Sequence, residues 1–388
     1  MRIECPLPKV LKMFKKNILA LLSFATLLPF LSSCNVHEWP HDNGETFPFI
    51  LYLTFDQDLP LYKEVYYTRN GEESRAEQTI YDIRYVVNVY KVTDENDANR
   101  EVFTSFTFSR QYTDSHDYQT TLSLPEGKYR FRVWSDHVTA GTQADLFYKT
   151  NDFTEIILDE SKGHPGNNEM RDAFRGSAYG EVYDPELYEI RHNGKTPENS
   201  ATALMQRPMG RYEFISTDMD EFLDKAIEGI DATRLQEFLL SRGENPDTRG
   251  EVYWNGLTRD EVADVLGLDH YQVVFSYNAF MPSSYNFFTD RPSDSSTGIS
   301  FQGGMSIGDD GMQMGFDYVL TDQETTMNLN MQIYNSDGTL IASSSGIEVP
   351  IQRSKNTIVK GKFLTVTSGG GVTINPDFEG DDYNIEIK

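Results

Sequence analysis

From Phe49 onward, apolar side chains recur at every second position. Phe49, Leu51, Leu53 and Phe55 alternate with polar or amphipathic neighbours, as do Ile83, Tyr85, Val87 and Val89. Tyr129, Phe131 and Val133 do the same against Lys128, Arg130 and Arg132. A period of two places one set of side chains on one face, so each run predicts a strand with a single buried side. Pro125-Glu126-Gly127 is a turn signal between Tyr118–Leu124 and the strand that follows, which predicts a hairpin. The pattern resumes with Met314, Phe316, Tyr318 and Leu320, then with Met327, Leu329, Met331 and Ile333. Asn335-Ser336-Asp337-Gly338 should turn that last strand back into Leu340–Ser343. Two strand-rich blocks result, near 45–205 and 207–388. Helical spacing intrudes between them. Ser216-Thr217-Asp218 is placed to cap a helix bearing Phe222, Leu223, Ala226 and Ile227, and Leu235, Phe238 and Leu239 continue the spacing towards Gly243. Thr258 with Glu261 forms a capping box before Val262, Val265 and Leu266, stopped at Gly267. The prediction is a mainly β chain of antiparallel sandwiches with a few helices near 217–267.

The first residues break this pattern. Lys12, Lys15 and Lys16 precede an uncharged run from Ile18 to Leu31, and Leu31-Ser32-Ser33-Cys34 closes it. Basic start, apolar middle and small residues before a cysteine are the parts of a secretory lipobox. A run of about fourteen residues is shorter than the roughly 20 a membrane-crossing helix needs. Residues 1–33 are therefore expected to be a signal peptide. Cys34 is expected to carry an N-acyl and an S-diacylglycerol lipid, and 34–46 to form a linker. The plainer readings are a cleaved signal with an incidental cysteine, or a short transmembrane helix.

Cysteine count and charge fit export. The chain has two cysteines, and loss of the leader removes Cys5, so no disulfide is possible within the mature chain. The net charge of −26 becomes still more negative once Arg2, Lys9, Lys12, Lys15 and Lys16 leave with Glu4. That charge argues against nucleic acid as a partner and against a polybasic hold on anionic lipid.

Candidate chemistry is sparse. The seven histidines, at 37, 41, 116, 137, 164, 192 and 270, show no metal-ligand spacing. There is no nucleophile elbow, phosphate-cradling glycine loop or thiol near a histidine, so no catalytic residue, metal site or cofactor is nominated and no enzyme activity is expected. Gly369-Gly370-Gly371 suits a flexible joint. Two acidic groups, Asp377, Glu379, Asp381 and Asp382, and Asp94, Glu95 and Asp97, offer oxygen ligands for calcium but lack the twelve-residue calcium-loop pattern, and solvated turns are the plainer reading. Arg171-Asp172-Ala173-Phe174-Arg175-Gly176 sets two arginines around an aspartate, with no nucleophile beside it, and reads as structural. Trp39, Trp134 and Trp254 are possible sugar platforms, which keeps a surface glycan-binding lipoprotein as the alternative function.

Several short segments, taken in order, resemble a known family. They are Val36-His37-Glu38-Trp39-Pro40 after Cys34, Arg84-Tyr85-Val86-Val87-Asn88-Val89-Tyr90, Leu124-Pro125-Glu126-Gly127-Lys128-Tyr129 and Val133-Trp134-Ser135-Asp136. His164-Pro165-Gly166-Asn167, the segment Arg171 to Gly176, Arg207-Pro208-Met209-Gly210-Arg211, Val349-Pro350-Ile351-Gln352-Arg353 and Gly361-Lys362-Phe363-Leu364-Thr365 follow. Together with the lipobox, they resemble the FimB-like fimbrial anchor subunits of type V pili in Bacteroidia; the stretch Asn245–Leu268 looks longer than that pattern. The resemblance implies two transthyretin-like β-sandwich domains, 47–206 and 207–388, and an outer-membrane lipoprotein that tethers a pilus shaft and helps regulate its length or assembly. Its implied partners are a shaft pilin and outer-membrane lipid. Such subunits join by strand exchange. Tyr383, Ile385 and Ile387 alternate in one candidate strand, either a donor or, as favoured here, a strand completing the second sandwich. The first strand, Phe47 to Phe55, is expected to be retained.

Overall fold

The computed structural model describes residues 45–55, 81–93, 101–111, 117–179, 187–190, 199–230, 232–242, 256–365 and 382–387. The alternating runs form strands. In the N-terminal half these are β1 (Thr46–Phe55), β2 (Tyr81–Lys91), β3 (Thr104–Gln111), β4 (Tyr118–Pro125), β5 (Gly127–Thr139), β6 (Tyr148–Lys149), β7 (Ile156–Leu158), β8 (Phe174–Tyr179), β9 (Leu187–Ile190) and β10 (Ser200–Gln206). The C-terminal half opens with β11 (Met209–Ser216) and the helices α1 (Met219–Glu228), α2 (Ala232–Arg242) and α3 (Arg259–Leu266). It continues with β12 (Gln272–Tyr277), β13 (Met281–Asn286), β14 (Arg291–Ser296), β15 (Ser300–Gly303), β16 (Ser306–Gly308) and β17 (Gly311–Leu320), then β18 (Glu324–Tyr334), β19 (Leu340–Gln352), β20 (Asn356–Gly361) and β21 (Asp382–Ile387).

An eight-stranded sheet runs β3-β2-β5-β8-β10-β1-β4, with β9 also on β5. Phe49, Leu51 and Leu53 of β1 are buried against Tyr85, Val87, Phe131 and Val133, and Phe49 stacks on Phe131 at 4.6 Å. The sheet curls until its two ends touch: Phe108 of β3 lies 5.4 Å from Tyr118 of β4, and Arg110 covers the Tyr118 ring. Twist and the aromatic pairs thus fold the sheet over a hydrophobic interior, with side chains of β1 and β4 packed on those of β2 and β5.

The C-terminal half is a sandwich. A five-stranded sheet, β16-β17-β11-β20-β21, faces the four-stranded β15-β12-β18-β19. Phe214, Met312, Met314 and Val359 from the first meet Val273, Phe275, Leu329 and Val349 from the second. The sheets come so close at Gly303 that a Cβ there would sit 2.2 Å from the Met314 carbonyl oxygen. Met219, Phe222, Leu223 and Ile227 of α1 and Val262 and Val265 of α3 extend the same core.

Three local expectations are corrected. The hairpin expected at Pro125-Glu126-Gly127 does not form: β4 pairs with β1, while β5 pairs with β2, β8 and β9. One residue between the strands is too short for a hairpin loop, and both edges of β5 are already taken. The sheets are not purely antiparallel either, since β1 with β10, β11 with β20, and β20 with β21 run parallel. Asp218 stands at the N-cap of α1 but makes no side-chain cap; its carboxylate instead accepts from the Ser216 hydroxyl and from the Thr365 amide and hydroxyl. The capping box of α3 forms as the spacing requires, with Gly267 left-handed at φ 69°. The Asn335–Gly338 turn joins β18 to β19, pinned by the Asn335 side chain, which accepts from the Asp337 and Thr339 amides.

A fourth sheet, β14-β13-β7-β6, takes strands from both halves. Its seam, Ser284 and Tyr285 against Ile157 and Ile156, sits over a core that Trp134, Tyr148, Phe153 and Ile156 share with Met209, Tyr285, Phe287 and Leu320. Trp134 is fully buried, edge-on to Tyr148 at 5.4 Å, and donates to Asp136. Replacing it by Ala should lower unfolding free energy by about 3–5 kcal/mol. Urea denaturation checks this, and a loss under ~1 kcal/mol would show that the seam packs without it.

Candidate functional site

The seam between the halves gathers several of the charged residues that the sequence singles out. In Arg171–Gly176 each charge finds a partner outside the segment. Arg171 pairs with Asp317 of β17 and donates to the Tyr318 carbonyl at 2.8 Å. Asp172 takes a two-pronged grip from Arg207 at 2.7–3.0 Å, and that guanidinium lies 4.6 Å from the Phe174 ring. Arg175 stacks on Phe287 at 4.3 Å. The structural reading of this segment agrees with that geometry.

Other segments of the resemblance hold arginine–carboxylate pairs, within one half for Arg84 and Arg353 and across the halves for Arg211. Arg84 of β2 grips both oxygens of Asp136 at 2.7 and 2.8 Å and reaches Asp145 at 2.7 Å. Arg353, in the turn after β19, donates to the Arg207 carbonyl and pairs with Asp290 at 2.9 Å. Arg211 of β11 holds Glu169 and Glu213, and Tyr318 donates to Glu169 at 2.6 Å. Planar guanidinium groups suit this work because they satisfy a buried carboxylate with two hydrogen bonds at once.

The C-terminal partners Asp317, Tyr277 and Asp290 are not found by sequence reasoning. Asp317 had a signal: it is the lone charge in Phe316-Asp317-Tyr318-Val319-Leu320, a strand otherwise committed to burial. At 1% side-chain exposure it remains ionised. Burial works against its charge, but Arg171 and His164 outweigh burial and hold its pKa below the ordinary carboxylate range.

The candidate joining strand is described through its backbone. Tyr383, Ile385 and Ile387 lie in β21, parallel to β20, with Thr357 opposite Tyr383, Val359 opposite Ile385 and Gly361 opposite Ile387. Among the described residues β21 forms one end of the five-stranded sheet, with β20 as its neighbour. β1, by contrast, lies inside its sheet, paired to β10 on one side and β4 on the other.

The lipobox residues Leu31, Ser32, Ser33 and Cys34 lie outside the described residues. So do Trp39, Trp254, the acidic groups at 94–97 and 377–381, and Gly369–Gly371. Among the described residues no group of three His, Cys, Asp or Glu side chains is arranged to hold a metal ion, and no helix is long and apolar enough to cross a membrane. An open surface depression of about 670 Å³ lies beside Asp82, Ser109, Arg110, Gln111 and Thr142.

Solved structures similar to this one include a Bacteroides thetaiotaomicron protein provisionally described as polysaccharide-binding, with TM-score 0.36, 12% identity and cover of 76% of this chain and 80% of that one. The fimbrial anchor protein Mfa2 from Porphyromonas gingivalis is similar at TM-score 0.33 and 11% identity, over 77% and 82% of the two chains. A protein from Bacteroides ovatus provisionally assigned as an adhesin is similar at TM-score 0.35 and 10% identity, over 89% and 94%. No curated protein sequence matches. Residues 50–388 match the model of a family of unknown function, DUF6562, and with that match spanning β1 to β21 the chain belongs to this family.

Proposed function

We propose that this protein is a lipid-anchored minor fimbrial subunit of the outer membrane, exported through the secretory pathway, that tethers a pilus shaft and helps regulate its length or assembly. The observation that carries this reading is the placement of β21 at a sheet end with β20 as its neighbour. A strand there can be extended by, or exchanged with, an extended segment of a second subunit. Main-chain hydrogen bonds then supply affinity, and alternate side chains supply specificity. The lipobox at Leu31–Cys34 supports the other end of the tether. Its lipid, two signals or more on one residue, would hold the acidic body without any basic patch. β1 fits a subunit that keeps its first strand, since withdrawing it would open both the β10 and β4 ladders.

The alternative is a surface glycan-binding lipoprotein. Of its three tryptophan platforms Trp134 is fully buried, which removes it as a stacking surface. A pulldown from the native envelope separates the two. The anchor reading expects a shaft pilin to be recovered with the protein; binding to a polysaccharide array with no pilin recovered would overturn it.

A further inference from the structure

At the middle of the seam His164 is clamped between two carboxylates. Its Nδ1 lies 2.8 Å from Glu160 Oε1 and its Nε2 lies 2.7 Å from Asp317 Oδ2, with 1% of the side chain exposed. An ionised carboxylate only accepts, so satisfying both contacts requires a proton on each ring nitrogen, which makes the ring a cation. The charges then balance: His164 and Arg171 against Glu160 and Asp317.

The loop that delivers the ring is tightly fitted. A Cβ on Gly166 would lie 2.3 Å from the Phe301 ring, and left-handed Asn167 donates its amide to the Phe316 carbonyl at 2.9 Å. Phe301 and Tyr277 wall the imidazole, with ring centroids 5.9 and 6.0 Å away. Tyr277 donates to Asp317 Oδ2 at 2.7 Å and is linked to Tyr212 by a hydroxyl contact of 2.7 Å. Arg171 also faces the ring, its Nη1 3.1 Å from Nε2, and the strand of Asp317 carries Tyr318, which reaches Glu169 and through it Arg211 and Glu213. Burial keeps Tyr277 and Tyr212 protonated, and Arg171 stays charged throughout. His164 and the carboxylates are therefore the groups left to titrate.

We propose that His164 is a proton-operated latch on the seam, locking the N-terminal half to the C-terminal sheets while its ring is charged and loosening them when the proton is lost. Glu160, His164 and Arg171 come from one half and Asp317 and Tyr277 from the other, so losing the imidazolium leaves two carboxylates facing a ring with one donor. Burial and the neighbouring Arg171 guanidinium oppose the charge on the ring, yet Asp317 and Glu160 outweigh them and raise its pKa overall. The latch's contribution is thus complete below the free histidine value of about 6.5 and is withdrawn as pH climbs through the ring's own higher titration point. Glu160 has the opposite limb. His164 holds its carboxyl below its usual value, so that share is present above about 4.3 and is lost as acid reaches the depressed titration point.

The test uses the whole protein with histidine labelled at Cε1. NMR should find His164 still an imidazolium at pH 7 and titrating above about 6.5. Hydrogen exchange at the Asn167 amide, corrected for its intrinsic rate, should report opening that grows up to about tenfold per pH unit between that value and the ring's titration point. In His164→Gln opening should be raised at pH 6 and show no such slope. Should that variant not fold, Glu160→Gln, which leaves Asp317 in place, should lower the titration point of the ring. A neutral His164 at pH 6, an unchanged slope in His164→Gln, or an unmoved titration point in Glu160→Gln would each overturn the latch.

Discussion

Cys34→Ala should strip the cell of attached fimbriae. Without the thiol there is no thioether to diacylglycerol, and without the diacylated cysteine the leader is not cut in the lipoprotein manner. The protein should then be found in the medium or held by an uncut leader in the inner membrane. Either outcome should release fimbriae from the cell if the protein is the proposed tether. The size of the effect follows from how little else binds this chain to a bilayer. Each buried methylene contributes about 0.8 kcal/mol, and a single acyl chain gives only marginal attachment. A chain of net charge −26, more negative still without its leader, offers no electrostatic hold on anionic lipid to compensate. Detergent-phase partition and immunoblotting of the medium check the outcome. Ser33→Ala, which keeps the position before the cysteine small, should remain lipidated and attached. Fimbriae still attached to cells carrying Cys34→Ala would refute the tether.

Asp317→Asn should be as damaging as the loss of Trp134 from the seam core, lowering unfolding free energy by about 3–5 kcal/mol. Its carboxylate is shared by Arg171, His164 and the Tyr277 hydroxyl, and it also accepts the Tyr318 amide at 2.8 Å. An amide keeps the shape but leaves two cations at 1% exposure facing a group without charge. Most of the cost is that orphaned charge rather than the lost attraction, which a second variant separates. Asp317→Leu combined with Arg171→Met removes both charges, so its loss should be less than the sum of the two single losses, with a coupling between roughly 0.5 and 3 kcal/mol. Urea unfolding measures all four corners of the cycle. Strict additivity would mean that the pair does not act as a unit.

Alternation makes most of the strands legible in the amino-acid sequence, because a period of two states which side chains go inward. It does not state which strand lies alongside which. The run Phe49, Leu51, Leu53, Phe55 identifies β1 but not its parallel partner β10, and Tyr118–Leu124 identifies β4 while pointing to the wrong neighbour. Ile156–Leu158 is too short for any period to register, although it carries half of the joint to β13. The seam is half visible for a similar reason. Arg171, Asp172 and Arg175 stand together in the sequence, whereas their partners Asp317, Arg207 and Phe287 are distant along the chain, and only the fold brings them together. The proposed lipobox rests on the sequence alone, because a signal peptidase and an acyl transferase would read a short linear segment rather than a folded surface.

If the chain is exported N-terminus first, as proposed above, the sheet shared between the halves sets an order of events. Ile156 and Ile157 would then emerge early, but their partners Tyr285 and Ser284 only after α1, α2 and α3. Until then β6 and β7 expose one unpaired ladder, and the apolar side chains around Trp134 have no lid. Pairings this distant in sequence are slow, and an open edge invites wrong partners while it waits. A holding chaperone of the periplasm should therefore associate with the emerging polypeptide between those two moments and leave once β13 docks.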